Sequence, residues 1–489
     1  MGIKLYNTAN RRKEVFKPIE DRKVGMYVCG VTVYDLCHIG HARSAIVFDV
    51  LSRYLRAKGF DVTYVRNFTD IDDKIITRAH ETGKDTDILA LEYINAFYED
   101  MERLYVLKAD FEPRATRHIG GMIDMVKTLV EKGYAYVEGG DVFFSVEKFR
   151  DYGRLSGRKL EDMNAGSRIA VDKKKRHPMD FVLWKAAKPD EPKWQSPWGA
   201  GRPGWHLECS VMSNHYLGPS FDIHGGGKDL LFPHHENERA QSLCANGGIF
   251  AKYWIHNGFV TIESEKMSKS TGNFLTIRDA LEIYHPQVLR LFLLSRHYRS
   301  PLDFSKKAVM SMQSGLIRIY RTLERLEELI GAFDGDISRA AGFPADMSGE
   351  RQNGSFLEQF INTMDDDLNT AGAIGLIFDK VREMNKILNA CGDSVDDTNR
   401  AKLDHDRRQI FLACSILGLL EETPADFFRQ ISGPTDRIDE AWIREMIKER
   451  SAARKQKEWN RADEIRDLLK QRGIVLEDGA RGTIWRFDV

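Results

Sequence analysis

The 489 residues carry 72 Lys and Arg against 73 Asp and Glu, a formal net charge of −1, so a polyanionic partner must be held by local basic patches, not by the field of the whole molecule. The length and a hydrophobic content of 42% predict several domains with a large core. No apolar run is long enough to cross a bilayer, residues 1–6 lack the apolar core of a signal peptide, and Tyr6 spoils a myristoylation pattern, which excludes a membrane partner and points to the cytoplasm. Six cysteines, at 29, 37, 209, 244, 391 and 414, are too sparse for a disulfide framework, so reduced thiols are expected, with metal binding or redox chemistry as their special uses.

The first long pattern joins an apolar, β-branched run (26–33) to a glycine-containing loop and a helical spacing (42–58). Such a loop sits at the carboxyl end of a strand, where open parallel sheets bind nucleotides and where the helix start favours phosphate. It contains His38-Ile39-Gly40-His41. Gly40 lets a ligand lie flat against the backbone, and the imidazoles can donate hydrogen bonds to phosphate oxygens; the four residues alone also suit an ordinary turn. A strand at 61–66 and a helix at 88–104 continue the alternation and predict one half of a doubly wound, Rossmann-type parallel sheet over 1–115.

Residues 116–195 change character, with a helix at 120–132, a hairpin at 135–137 and 141–145, and a basic run at 173–176, and read as an insertion between sheet halves. Sheet character resumes over 196–262, in 204–211, 221–224 and 251–261. Within 263–315, Lys266 and Lys269 flank a small, hydroxyl-bearing turn. That arrangement suits a mobile loop closing on a polyphosphate and neutralising a departing pyrophosphate, or else a solvated basic loop.

Residues 316–431 have helical spacing throughout, at 316–330, 352–364, 370–388 and 407–420, and predict a bundle. The carboxylates of Asp365, Asp366 and Asp367 read as helix caps. After a joint at Ser432-Gly433-Pro434, the module 436–489 holds charged helices at 439–457 and 459–472 and a strand-like tail through Trp485. Its Arg450, Arg454, Lys455, Lys457, Arg461, Trp459 and Trp485 suit unpaired bases and phosphates, or equally a solvated helix face.

Cys29, Cys37, Cys209 and Cys244 are the thiols available to a metal, and residues 232–239 offer the best helical partner. There Pro233 fits a first-turn position, and His234 and Glu238, four apart, share a face, whereas His235 and Asn237 point elsewhere. Two thiolates, an imidazole and a carboxylate suit zinc. The spacing leaves the set open, since Cys29 and Cys209 meet only if their strands are neighbours at one sheet edge.

The pair His38-Ile39-Gly40-His41 and Lys266-Met267-Ser268-Lys269-Ser270 resembles the signature of class I aminoacyl-tRNA synthetases. With residues 67–74, 204–210 and 222–238, the chain resembles the cysteinyl-tRNA synthetases over nearly its whole length. The resemblance implies a doubly wound catalytic domain whose connective insertion lies near the tRNA acceptor end, then a stem-contact region, a helical bundle and a C-terminal anticodon-binding module. It implies L-cysteine, ATP with Mg2+, and tRNA(Cys), by way of a cysteinyl-adenylate, in a monomer. It places one zinc ion on Cys29, Cys209, His234 and Glu238, leaving Cys37 and Cys244 in the core. His38, His41, Lys266 and Lys269 would be catalytic; Gly30, Thr32, Thr69, Trp205, His224 and Asp229 would hold the amino acid; and Gly40, Gly225, Gly226 and Gly227 would join the signatures around ATP. Zinc beside the amino-acid pocket would separate cysteine from serine by softness where shape discriminates poorly. Two alternatives share parts of the pattern. A ligase joining cysteine to an amino sugar would lack the C-terminal module, and a non-catalytic tRNA-binding paralogue would have lost signature residues.

Overall fold

The computed structural model describes residues 2–160, 173–262, 265–266, 274–333, 354–392, 394–431, 440–471, 474–479 and 482–487. After a hairpin, β1 (Lys4–Asn7) and β2 (Arg12–Val15), the chain enters β3 (Lys23–Thr32), α1 (Ile39–Ala57), β4 (Asp61–Thr69), α2 (Asp73–Thr82) and α3 (Thr86–Arg103). β3 and β4 pair in parallel, Met26 opposite Tyr64. Burial of Val24, Met26, Tyr27 and Val28 explains the unbroken apolar run.

The insertion opens with α4 (Ile119–Glu131) and continues as β5 (Ala135–Glu138), β6 (Asp141–Phe144), β7 (Phe181–Ala186) and β8 (Gly201–Pro203), a four-stranded antiparallel sheet in that order. Gly139 and Gly140 take φ of +59° and +84° in the tight β5–β6 turn, conformations that glycine adopts without strain.

Residues 204–211, expected as sheet, instead begin α5 (Trp205–Leu217) with Gly204 as its N-cap. Leu207 through Ser213 are all buried, so the segment lacks the one-sided spacing of a surface helix, and a short apolar run reads equally as strand. β9 (Ser220–Gly227), α6 (Glu236–Asn246) and β10 (Phe250–Asn257) follow. The main sheet has the order β10-β9-β3-β4. The chain builds from β3 to one side, then from β9 to the other, so the switch point falls between β3 and β9, where ligands bind at strand carboxyl ends.

The expected run 251–261 breaks at Gly258, and β11 (Val260–Ile262) joins a separate sheet between β12 (Glu265–Lys266) and β13 (Leu302–Phe304). Between these lie α7 (Ile277–Ile283) and α8 (Pro286–Leu294). The helical region holds α9 (Lys306–Ile330), α10 (Phe356–Asp365), α11 (Thr370–Cys391), α12 (Asp397–Leu417) and α13 (Pro424–Ile431). α12 begins ten residues ahead of the expected 407, capped by Asp396, whose side chain accepts from Asn399 N.

The cap of α11 is Asn369, not an aspartate. The carboxylates instead tie this loop to the rest of the chain: Asp365 accepts from the Tyr54 hydroxyl at 2.6 Å, Asp366 pairs with Lys13 at 2.8 Å, and Asp367 accepts from Tyr6 N at 2.7 Å and Tyr298 Oη at 2.8 Å. The last module has α14 (Glu440–Lys455), α15 (Trp459–Gln471) and a hairpin, β14 (Ile474–Gly479) with β15 (Gly482–Phe487), around its own small core of Ile443, Ile465 and Leu469. Trp459 is 58% exposed. Arg450, expected on a nucleic-acid face, is buried and reaches the Thr483 hydroxyl. Among the described residues no helix is long and apolar enough to cross a membrane.

Candidate active site and metal centre

At the switch point β3 bulges between Val28 and Val31, presenting Cys29 and Gly30. Gly30 N donates to Asn67 Oδ1 at 2.9 Å, and any Cβ there would overlap the Asn67 carbonyl. Only glycine allows this approach of β3 to β4. Thr32 and Thr69 then face each other in register at the strand ends.

Cys29, Cys209, His234 and Glu238 converge in a buried cluster whose donor atoms all lie within 4.8 Å of one another. Cys29 Sγ is 3.6 Å from Cys209 Sγ and 3.3 Å from Glu238 Oε1; His234 Nε2 is 3.6 Å from Cys209 Sγ and 3.0 Å from Glu238 Oε1. Tetrahedral zinc with sulfur at ~2.3 Å and nitrogen or oxygen at ~2.0 Å has edges of about 3.3 to 3.8 Å, so the cluster fits that ion with little adjustment. The thiols do not meet as neighbouring strands: Cys209 comes from α5, which packs against β3. Phe232 is extended (φ −144°, ψ 130°), and helical backbone resumes at Pro233 and runs through His234 and His235 into α6, so Pro233 stands in a first turn as expected and His234 reaches Glu238 on the same face.

Glu238 carries the electrostatics of this cluster. Its Oε2 lies 2.8 Å from His224 Nε2 and its Oε1 3.0 Å from His234 Nε2. Burial opposes its charge, but these two imidazoles hold the carboxyl well below its ordinary range. Burial raises the Cys29 thiol, whereas at Cys209 hydrogen bonds from Cys29 and His234 outweigh burial and bring the thiol down to about 6. A second grouping, Cys29, His224, His235 and Glu238, shares two donors with the first. Two thiolates favour the first for zinc, because a second soft donor suits that ion better than a second imidazole.

Three histidines that the sequence reading did not use surround these groups. His206 Nδ1 is 2.8 Å from His234 Nδ1, and His235 Nδ1 is 2.8 Å from His256 Nε2, which continues to the Thr8 hydroxyl at 2.8 Å. Burial takes His206 and His256 down to about 3, so both are neutral. Glu208 was also missed. It accepts from the Thr69 hydroxyl at 2.7 Å, and burial pushes its carboxyl well above the ordinary range. The one signal for it was an acidic residue inside an otherwise apolar stretch.

Trp205 is 38% exposed and stacks on His234 with centroids 4.1 Å apart, forming a wall beside the cluster. Asp229 is exposed just past β9. Gly225, Gly226 and Gly227 are not a turn but the end of β9; a Cβ at Gly225 would strike the Phe48 ring, so helix packing already requires glycine there. Cys37 and Cys244 are buried and outside the cluster.

His38 caps α1: its Nδ1 accepts from Gly40 N at 3.0 Å, and His41 Nδ1 accepts from His38 N at 3.3 Å. The rings stack at 3.8 Å. With Nδ1 an acceptor, each neutral ring carries its proton on Nε2. Burial, then the neighbouring His38, push His41 well below its ordinary value, so it serves as a neutral donor. Lys266 lies on β12, and Lys269 falls outside the described residues.

Residues 15–314 match the family described as tRNA synthetases class I (C) catalytic domain, 359–421 a DALR domain, and 441–486 a cysteinyl-tRNA ligase anticodon binding domain. The cysteine–tRNA ligase of Pelobacter propionicus is 52% identical over 491 residues, covering 99% of each chain; that of Trichlorobacter lovleyi is 52% identical over 99% of this chain and all of its own. Among solved structures, a Mycobacterium tuberculosis methionyl-tRNA synthetase in complex with methionyl-adenylate superposes with a TM-score of 0.57 at 15% identity, covering 86% of this chain and 96% of its own, a likeness of fold. A catalytic-domain match over most of the chain, with relatives half-identical from end to end, means that the chain belongs to the cysteine–tRNA ligase family of class I aminoacyl-tRNA synthetases.

Proposed function

We propose that the family's reaction proceeds here by selection of L-cysteine at one zinc ion held by Cys29, Cys209, His234 and Glu238, with adenylate formation on ATP and Mg2+ beside it. The observation that carries this reading is the four-donor cluster at the same sheet edge as the His38–His41 helix start. Bound there, zinc supplies a soft Lewis acid that favours a thiolate over a serine alkoxide. Trp205 walls the pocket, Gly30 and Thr32 border it, and Thr69, oriented by Glu208, His224 and Asp229 orient the amino acid's polar groups. Gly40, Gly225, Gly226 and Gly227 line the approach to adenine and ribose.

The cysteine carboxylate oxygen attacks the α-phosphorus of ATP, and the bond to the bridging oxygen of pyrophosphate breaks. His38 and His41 donate from Nε2 to phosphate oxygens, and Lys266 and Lys269 neutralise the leaving group. A terminal ribose hydroxyl of tRNA(Cys) then attacks the carbonyl carbon and AMP departs. The anticodon-domain match at 441–486 favours tRNA over an amino sugar as acceptor. In this reading the protein is a cytoplasmic monomer, the insertion meets the acceptor end, 263–315 contacts the stem, and 436–489 reads the anticodon.

Cysteine-dependent ATP–pyrophosphate exchange, repeated as charging of purified tRNA(Cys), tests the whole reading. Exchange without charging by the intact chain would remove tRNA as acceptor, and exchange with serine as efficient as with cysteine would remove the selection step.

A further inference from the structure

Arg43 lies two residues past His41 and is completely buried. Among the described residues no carboxylate pairs with it; its guanidinium meets four backbone carbonyls. Nη1 donates to Gly258 O at 3.0 Å and Phe259 O at 2.7 Å, and Nη2 to His297 O at 3.3 Å and Ser300 O at 2.6 Å. Burial lowers its proton affinity to about 10, so it remains a cation at neutral pH. A buried cation is costly, and here the four carbonyl contacts offset that cost while fixing the guanidinium in one geometry between two segments.

The four carbonyls belong to two segments that the fork holds together. Gly258 and Phe259 lead into β11, and residues 297–300 lead into β13, which pairs with β11, Val260 opposite Leu302. A Cβ on Gly258 would sit 2.5 Å from Ser300 O, so glycine permits the closure. β11 in turn pairs with β12, Thr261 opposite Lys266. The chain returning from that region is held by the same helix start: Ile39 N donates to Leu275 O at 3.2 Å and Ile277 N to Cys37 O at 2.8 Å. The helix that presents His38 and His41 thus anchors the strand leading into Lys266 through Arg43 and the returning segment at 275–277 through main-chain bonds.

We propose that Arg43 is a positioning residue for adenylate formation, holding the β11–β12 platform that carries Lys266 in register with the His38–His41 helix start. The proposal rests on the assignment of His41 and Lys266 to the ATP phosphates. Lysine cannot replace this function, because one ammonium nitrogen cannot span both segments as a planar fork does.

The test is pyrophosphate exchange by full-length Arg43→Lys and Gly258→Ala, each alone and combined with Lys266→Ala. Arg43→Lys should keep a cooperative melt and an unchanged KM for cysteine while kcat falls about 10- to 100-fold, the scale of a displacement near 1 Å. With Lys266 already removed, the same substitution should lower kcat less than about threefold, because both changes disable one contact. Gly258→Ala should repeat both results. An unchanged kcat, an undiminished effect in the Lys266→Ala background, or an Arg43→Lys that does not fold makes Arg43 merely structural and overturns the inference. His41→Ala and Lys266→Ala, measured alone, separate the two levels: if both retain full kcat the ATP assignment fails, whereas their loss beside an unaffected Arg43→Lys overturns this inference alone.

Discussion

Cys209 and Glu238 differ in what each brings to the cluster: a soft donor drawn toward its thiolate by Cys29 and His234, and a carboxylate charge held by two imidazoles. Cys209→Ser keeps the volume but replaces that soft donor with a hard one. Metal analysis of the variant should fall well below the parent, and cysteine-dependent exchange should drop about a hundredfold or more, beyond what altering an outer-sphere partner of a metal usually costs, with circular dichroism unchanged. Gly30→Ala acts by a different route. Its Cβ would collide with the backbone of Asn67, which no rotamer change relieves, so β3 and β4 must part and stability should fall by about 3 kcal/mol in denaturant titration. Thiols and an i, i+4 His/Glu pair are chemically conspicuous, which made Cys29, Cys37, Cys209, Cys244, His234 and Glu238 candidates, but the choice of Cys29 and Cys209 among the thiols came from the family resemblance and not from spacing. His206, His235, His256 and Glu208 could not be named, because their importance comes from neighbours brought together by the sheet crossing.

α1 shows what an element contributes beyond its capping histidines. Asp49 pairs with Arg53 at 3.0 Å and with Arg290 of α8, and Arg290 Nε donates to Leu417 O of α12 at 2.7 Å, so one buried network joins α1 to the bundle. Burial opposes the Asp49 charge, but Arg53 and Arg290 outweigh it and hold the carboxyl below the ordinary 3.8. A depressed carboxyl stabilises the fold above its unfolded value and loses that contribution as pH falls through the folded value, so acid below about pH 4 should loosen this joint. Asp49→Asn leaves two buried guanidiniums short of an anion and should cost about 3–5 kcal/mol at pH 7 in chemical denaturation. The helices of the bundle were legible because their faces alternate. α5 was not: buried on nearly every side, it shows no polar face to betray its period, and its misreading as strand also misplaced how Cys209 reaches Cys29.

At the scale of the whole molecule, the module after residue 440 has its own small core, whereas the donors and the capping histidines lie upstream. Truncation before residue 436 should therefore leave cysteine-dependent exchange within about twofold of the intact chain, since independently cored domains fold separately. Charging of tRNA(Cys) should fall by orders of magnitude as phosphate and base contacts are lost; equal charging by both forms would show that the module does not read the anticodon. The Pro and Gly of Ser432-Gly433-Pro434, which lie outside the described residues, mark this joint in the sequence, but no local pattern could foresee that Asp365, Asp366 and Asp367 tie the bundle to α1 and the N-terminal segment, since such partners lie hundreds of residues apart. Selection of cysteine through its thiol at zinc would make the enzyme's specificity metal-dependent. The measurement is pyrophosphate exchange with cysteine and with serine, before and after removal of zinc from folded full-length protein. The expected result is about one zinc per chain, exchange with cysteine and not serine, and loss of the cysteine reaction on stripping with recovery on zinc return. Full cysteine-dependent exchange by folded, metal-free protein would contradict it.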